Sequence, residues 1–332
     1  MIEILLFFIG ASLLLYVLLG GADYGAGVLE LLPTRRHREA QRELINEAMG
    51  PVWEANHMWL ILIVVILFMG FPSVFTTLMT SLHLPMVALL LGIVVRGCAF
   101  TFRHYDAIKG ETSQKIYTML FGVSSLWTAM WLGIIAASLD RGLINPEART
   151  FFEAYIAPWW GRYPFLMGVF VVCIFSFLAS VYLIGEAKEP GLQKFFARRG
   201  MVLNYLVVFA GALVFSASAD ERTPLHREFF RNEYSVGCMV LATLLFFALW
   251  FFVSKRNTLW VRLIAGGQIS LILLGWYFLH APNALLTRQG PLSFYAAAAP
   301  TATLLQLVIA LLVGSLFIFP SLFYLLKVFK TK

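Results

Sequence analysis

Long apolar windows alternate with short polar, mostly basic segments from one end of the chain to the other. A hydrocarbon core of about 30 Å takes about 20 apolar residues in a helix. Windows of that kind fall at roughly 3–31, 57–80, 85–104, 115–139, 163–186, 201–219, 236–254, 260–280 and 301–326. They predict an all-α integral membrane protein of about nine transmembrane helices. The second and third windows are separated only by the segment around Ser81–Leu84, which predicts an antiparallel hairpin. The first window exceeds one bilayer width, an excess that tilt or an interfacial extension absorbs. It carries Glu3 and no Lys or Arg before Arg35, so it reads as a retained first helix, not a cleaved leader.

Composition agrees with the windows. Hydrophobic residues make up 60% of the 332 and charged ones 13%, whereas a soluble domain carries roughly a quarter charged. The net charge of +7 is not a nucleic-acid footprint, because its distribution follows the loops. Seventeen Lys and Arg fall in loops of one parity, from Arg35, Arg36, Arg38 and Arg42 to Lys327, Lys330 and Lys332, against seven in the other. By the positive-inside rule the N-terminus lies outside and the C-terminus in the cytoplasm. Cys98, Cys173 and Cys238 sit in apolar stretches without a close pair, as small buried hydrophobes do. The outer loops 141–162 and 219–234 read as interfacial belt and turns, with no soluble domain.

Ionisable groups inside a bilayer are costly unless paired or hydrated, so each is a candidate for chemistry. Asp23 lies in Gly20-Gly21-Ala22-Asp23-Tyr24-Gly25-Ala26-Gly27, where small residues let another helix approach. It faces protein, either as a structural ion pair or as a proton carrier. The segment Pro51-Val52-Trp53-Glu54-Ala55-Asn56-His57-Met58-Trp59 opens the second span. Glu54 and His57 share a helical face, and such a pair can pass protons. A di-iron bundle needs two Glu-x-x-His copies plus two more Glu; the spans offer one copy. His57 taken alone reads as structural. Arg96 sits about two turns above Arg103, too deep for easy snorkelling, and calls for a buried carboxylate, Asp23 or Glu54. No two histidines form an evident pair for haem, and no Walker loop, GxGxxG or zinc motif is in context. The residues alone describe a proton-handling membrane protein. A proton-coupled secondary transporter or channel is the rival class, and a structural scaffold a third.

The chain also resembles subunit II of the cytochrome bd-type quinol oxidases, cyanide-insensitive members included. The resemblance rests on Gly21 to Gly27, Asn46-Glu47, Pro51 to Trp59, Arg96 to Arg103, Pro282-Asn283 and the stretch from Ser293 to Lys327. It implies a single membrane domain in which residues 1–140 and 163–280 form two four-helix bundles and 301–327 a final helix. It implies a heterodimer in a prokaryotic cytoplasmic membrane, this subunit carrying neither haem nor metal. The haem-bearing subunit I would hold haems b558, b595 and d, oxidise quinol and reduce dioxygen to water. Small single-helix subunits, lipids and a structural quinone are compatible with it; nucleic acid is not a partner. The resemblance also implies a proton route through Glu54, Asp23 and His57, supported by Trp53, Asn56, Trp59, Arg96 and Arg103. Glu54 stands where the family usually has Asp, and Leu19 and Thr101 stand where acids are common.

Overall fold

The computed structural model describes residues 1–32, 37–49, 53–106, 110–255 and 257–330. The first span is α1 (Ile2–Leu15), a π-turn (Tyr16–Gly20) and α2 (Gly21–Leu31), continuous over 30 residues. There follow α3 (Arg38–Met49), α4 (Trp53–Gly70), α5 (Pro72–Ser81), α6 (His83–Tyr105), α7 (Glu111–Ser138) and the short α8 (Phe151–Tyr155). The second half holds α9 (Arg162–Glu186), α10 (Pro190–Asp220), α11 (Pro224–Glu228), α12 (Glu233–Ser254) and α13 (Thr258–His280). A hairpin of β1 (Asn283–Thr287) and β2 (Gly290–Ser293) then leads into α14 (Thr301–Lys330). Among the described residues eight helices are long and apolar enough to cross a membrane, or nine if α4 and α5 count as one bent span.

That bend corrects the expected hairpin of spans two and three. Residues Asn56–Gly70 and Pro72–Ser81 turn through 117° instead of running on as one helix. The cause is local. Pro72 has no N–H to continue the ladder and restricts the residue before it, and Phe71 leaves the helical region at φ −138°, ψ 62°. Phe71 is fully buried, edge-on to Phe294. The Gly70 carbonyl accepts the Ala299 N–H at 2.8 Å. α4 therefore packs on α1 and α14, while α5 bridges to α6.

The centre of the molecule is α2, α7 and α9, which pack on one another. Their approach follows from glycine. A Cβ on Gly25 would stand 1.8 Å from the Phe175 carbonyl oxygen of α9, and one on Gly27 would stand 2.2 Å from Ser125 Oγ of α7. A Cβ on Gly133 would stand 2.5 Å from the Met167 carbonyl. α6 lies on α7, α10 on α9, and α13 pairs with α12 while touching α9. α3 buries Ile45 and packs against α2 and α9. At the N-terminal end, the hairpin's Leu286 N–H donates to Leu139 O at 2.8 Å and the Arg288 N–H to Ile144 O at 2.9 Å. This small sheet is an addition to the all-α reading.

Candidate functional site

One set of buried polar groups gathers along α2. Asp23, 1% exposed, meets Arg96 of α6, also 1% exposed, with Nη2 2.5 Å from Oδ1. Arg96 Nε donates to Ser125 Oγ at 3.0 Å, and Nη2 also reaches the Asp23 carbonyl at 3.3 Å. Ser125 Oγ in turn donates to the Phe121 carbonyl at 2.6 Å. Between the two carboxylates that the sequence leaves open for Arg96, the structure places Asp23 against it. Asp23 Oδ2 accepts no hydrogen bond among the described residues.

Two turns further along α2 lies a second pair that the sequence reading missed. Glu30 and Arg103 are both buried, and Arg103 Nη1 donates to Oε1 at 3.0 Å and to Oε2 at 2.7 Å. The Phe121 ring separates the two tiers, 4.8 Å from the Arg96 guanidinium carbon and 4.6 Å from that of Arg103. Arg103 is thus half of a buried ion pair. A signal for it exists in the sequence. Glu30 follows Asp23 by seven residues and Arg103 follows Arg96 by seven, so two helices repeat acid and base in register.

Beyond Glu30 the polar contacts reach the basic end. Gln114 Nε2 donates to Arg103 O at 3.3 Å, and Arg42 donates to Gln114 Oε1. Gln41 Nε2 donates to Leu29 O at 2.7 Å, and Arg199 donates to Gln41 Oε1 at 3.3 Å and to Leu32 O. In the other direction from Asp23, Tyr24 and Tyr16 are buried with their hydroxyls 3.0 Å apart. Arg96 lies over the Tyr24 ring at 4.8 Å.

α4 supplies the remaining predicted residues. His57 sits edge-on to Tyr24, ring centroids 6.1 Å apart. Asn56 and Trp59 are buried, Asn56 beside Gly20. Trp53 and Glu54 open α4, but their side chains lie outside the described residues. Leu19 is 46% exposed and Thr101 half-buried, so neither joins the tiers.

A separate polar cluster closes the N-terminal end. Asp140 Oδ2 accepts from Tyr163 Oη at 3.0 Å and lies 3.2 Å from His280 Nε2, while His280 Nδ1 faces Trp276 O at 2.7 Å. His280 has both nitrogens engaged, His83 Nδ1 faces Thr80 O, and His37, His104 and His226 pack on phenylalanine rings. No group of three or more metal-ligating side chains occurs among the described residues.

These features define a polytopic helical membrane protein with ion pairs stacked between its first, third and fourth spans. Residues 1–329 match the family model of cytochrome bd terminal oxidase subunit II, and the chain belongs to that family. It is 27% identical to the cytochrome bd ubiquinol oxidase subunit 2 of Bacillus subtilis (strain 168) over 77% of this chain and 73% of the relative. It is 20% identical to the putative cytochrome bd menaquinol oxidase subunit II of the same organism, over 95% and 91%. A chain of the bd oxidase from Geobacillus thermodenitrificans shares the fold, with a TM-score of 0.77, 18% identity and 98% of both chains covered. Membership makes this chain one subunit of a haem-containing oxidoreductase complex, a quinol oxidase with a partner subunit I.

Proposed function

We propose that this chain is the haem-free subunit of a bd-type quinol:oxygen oxidoreductase and that it delivers cytoplasmic protons for the reduction of dioxygen to water. The observation that carries the reading is the polar column on α2. Two buried acid–arginine pairs, Asp23–Arg96 and Glu30–Arg103, are stacked inside the helix bundle, in a chain with many large apolar side chains exposed along its spans. Subunit I is the partner that holds haems b558, b595 and d and oxidises quinol. The basic end of the molecule faces the cytoplasm, and the membrane is the prokaryotic cytoplasmic one. Residues 1–140 and 163–280 act as paired four-helix units, joined where α9 packs on α2 and α7.

The chemistry asks for such a route. Reduction of dioxygen consumes four protons for four electrons. If those protons come from the cytoplasm while quinol releases its own outside, charge is separated without a pump. A carboxyl that exchanges its proton at the mouth of the column is the relay, and Glu54 at the start of α4 has that position in sequence. Asp23 and Arg96 set the field into which the proton moves, and His57 lies beside Tyr24 at its inner end.

Glu54→Gln keeps size and hydrogen bonding but removes the exchangeable proton. Oxygen uptake per haem is expected to fall by about a hundredfold, the lower bound of general acid–base contributions, with haem content and subunit ratio unchanged. Full turnover in the assembled variant would remove Glu54 from the route. Purification of the tagged chain from native membranes separates the oxidase from a transporter. Co-purification of a haem protein is expected, whereas ion flux through this chain alone in liposomes would favour the transporter.

A further inference from the structure

The first span is a regular α-helix except at one place, the π-turn at Tyr16–Gly20, where the Gly21 N–H reaches back five residues to the Tyr16 carbonyl. Such turns are uncommon and concentrate at functional sites. Here the turn has a geometric result. In an unbroken α-helix, residues eight apart point about 80° away from each other, at about 100° per residue. A wide turn absorbs one residue, and the separation becomes that of residues seven apart, within about 20° of the same face. Tyr16 and Tyr24 are eight apart, and their hydroxyls meet at 3.0 Å.

Gly20 completes the arrangement. A Cβ there would stand 3.2 Å from the Tyr16 ring, so the ring lies along the helix over residue 20 and reaches toward Tyr24. Both side chains are buried, Tyr16 at 2% and Tyr24 at 0% exposure. The charged and titratable groups packed around them come from three helices. Asp23 is the neighbour on α2, Arg96 of α6 lies over the Tyr24 ring, and His57 of α4 meets its edge.

We infer that the Tyr16–Tyr24 hydroxyl pair carries the proton onward from the Asp23–Arg96 tier toward the middle of the membrane. The inference rests on the proton-delivery reading above and extends it by naming the inner segment of the route. Either hydroxyl can be the donor in this pair. A proton given to the Tyr24 oxygen by a protonated Asp23 carboxyl, through water, lets that hydroxyl give its own proton to the Tyr16 oxygen. The Tyr16 hydroxyl gives one to a water on its inner side. Asp23 is left as the carboxylate and is protonated again from the column. Both tyrosines end neutral, and the pair resets when the two O–H bonds rotate. No electron is moved and no bond other than O–H is made or broken. The hydroxyls are 3.0 Å apart, so the pair moves the proton by one hydrogen bond beyond the Asp23–Arg96 tier.

The test uses the complete oxidase with Tyr16→Phe, Tyr24→Phe and both together, beside Glu54→Gln. Oxygen uptake per haem is measured across pH in H2O and in D2O, with haem content and thermal midpoint alongside. Each phenylalanine variant is expected to slow turnover by at least about tenfold, a modest fraction of what positioned proton transfer contributes. The double variant is expected to be no slower than the worse single one, because the hydroxyls act as a unit. A merely structural pair moves the thermal midpoint and leaves turnover, pH profile and isotope effect as in the parent; that result overturns the inference. Slow tyrosine variants beside a fully active Glu54→Gln would instead overturn the role of Glu54 and retain the hydroxyl route. If a phenylalanine variant does not assemble, difluorotyrosine at position 24 keeps shape and hydroxyl but makes the phenol more acidic. Its turnover and solvent isotope effect are expected to differ from the parent's, because donation and acceptance at the phenol change with its acidity, and values equal to the parent's overturn the inference.

Discussion

Gly25→Ala is expected to prevent accumulation of the folded protein in the membrane. The added Cβ would stand 1.8 Å from the Phe175 carbonyl oxygen, 2.3 Å from its carbon and 2.8 Å from the Ser176 nitrogen. These are backbone atoms in the middle of α9, so no side chain can turn aside. α2 and α9 would have to separate by more than an ångström, and every contact along that crossing would weaken with them. Gly21, one turn away, has the Phe175 ring against it at 2.6 Å and offers no slack. Overpacking of ordinary cores costs about 1–3 kcal/mol, and a clash with fixed backbone belongs above that range. Gly10→Ala is the matched control, since a Cβ there meets nothing within 4 Å. Membrane-inserted protein and its thermal midpoint in detergent are the measurements. A Gly25→Ala protein as abundant and as stable as the Gly10→Ala protein would contradict the packing of α2 on α9.

Arg96→Leu is expected to be the most harmful change of a single charge. It leaves Asp23 buried at 1% exposure without its cation. Breaking a buried pair from one side costs about 3–5 kcal/mol, and here the rings of Tyr24 and Phe121 also lose the guanidinium between them. The penalty belongs to the stranded carboxylate more than to the lost attraction. Arg96→Leu combined with Asp23→Asn is therefore expected to regain most of the stability lost by Arg96→Leu. Thermal unfolding of the purified complex measures both. A double variant no more stable than Arg96→Leu alone would mean that Arg96 acts through Ser125 and the aromatic rings, not through Asp23.

Much of this arrangement is legible in the residue pattern, and the parts that are not have definite causes. The run Gly20 to Gly27 announces a close helix crossing, and the partners prove to be α9 and α7. Arg96, deep in an apolar window, requires an acid nearby, and geometry selects Asp23. Glu30 is overlooked because an acid at the end of a window reads as interfacial; only its register with Arg103 betrays it. The bend after Gly70 hides inside an apolar window because hydropathy averages over Pro72, the one residue that breaks the ladder. The π-turn has no signature in periodicity at all, since it displaces the pattern by a single residue within an apolar stretch. The β1–β2 hairpin is held by contacts with Leu139 and Ile144, far away in the chain, so its strands carry little local signal.

These losses share a feature. The bend and the π-turn are each set by a single position and the hairpin by distant partners, whereas the spans repeat their apolar signal over several turns. The site is built from both kinds. The ion-pair tiers follow from a repeated spacing, and the tyrosine pair follows from a single wide turn.

The most direct measurement is proton uptake by the purified oxidase reconstituted in liposomes, followed as the reduced enzyme reacts with dioxygen, for the parent and Glu54→Gln. The account predicts that uptake from the side facing the basic loops slows in the variant together with dioxygen reduction, at unchanged haem content. Uptake from that side at the parent's rate in the variant would contradict it.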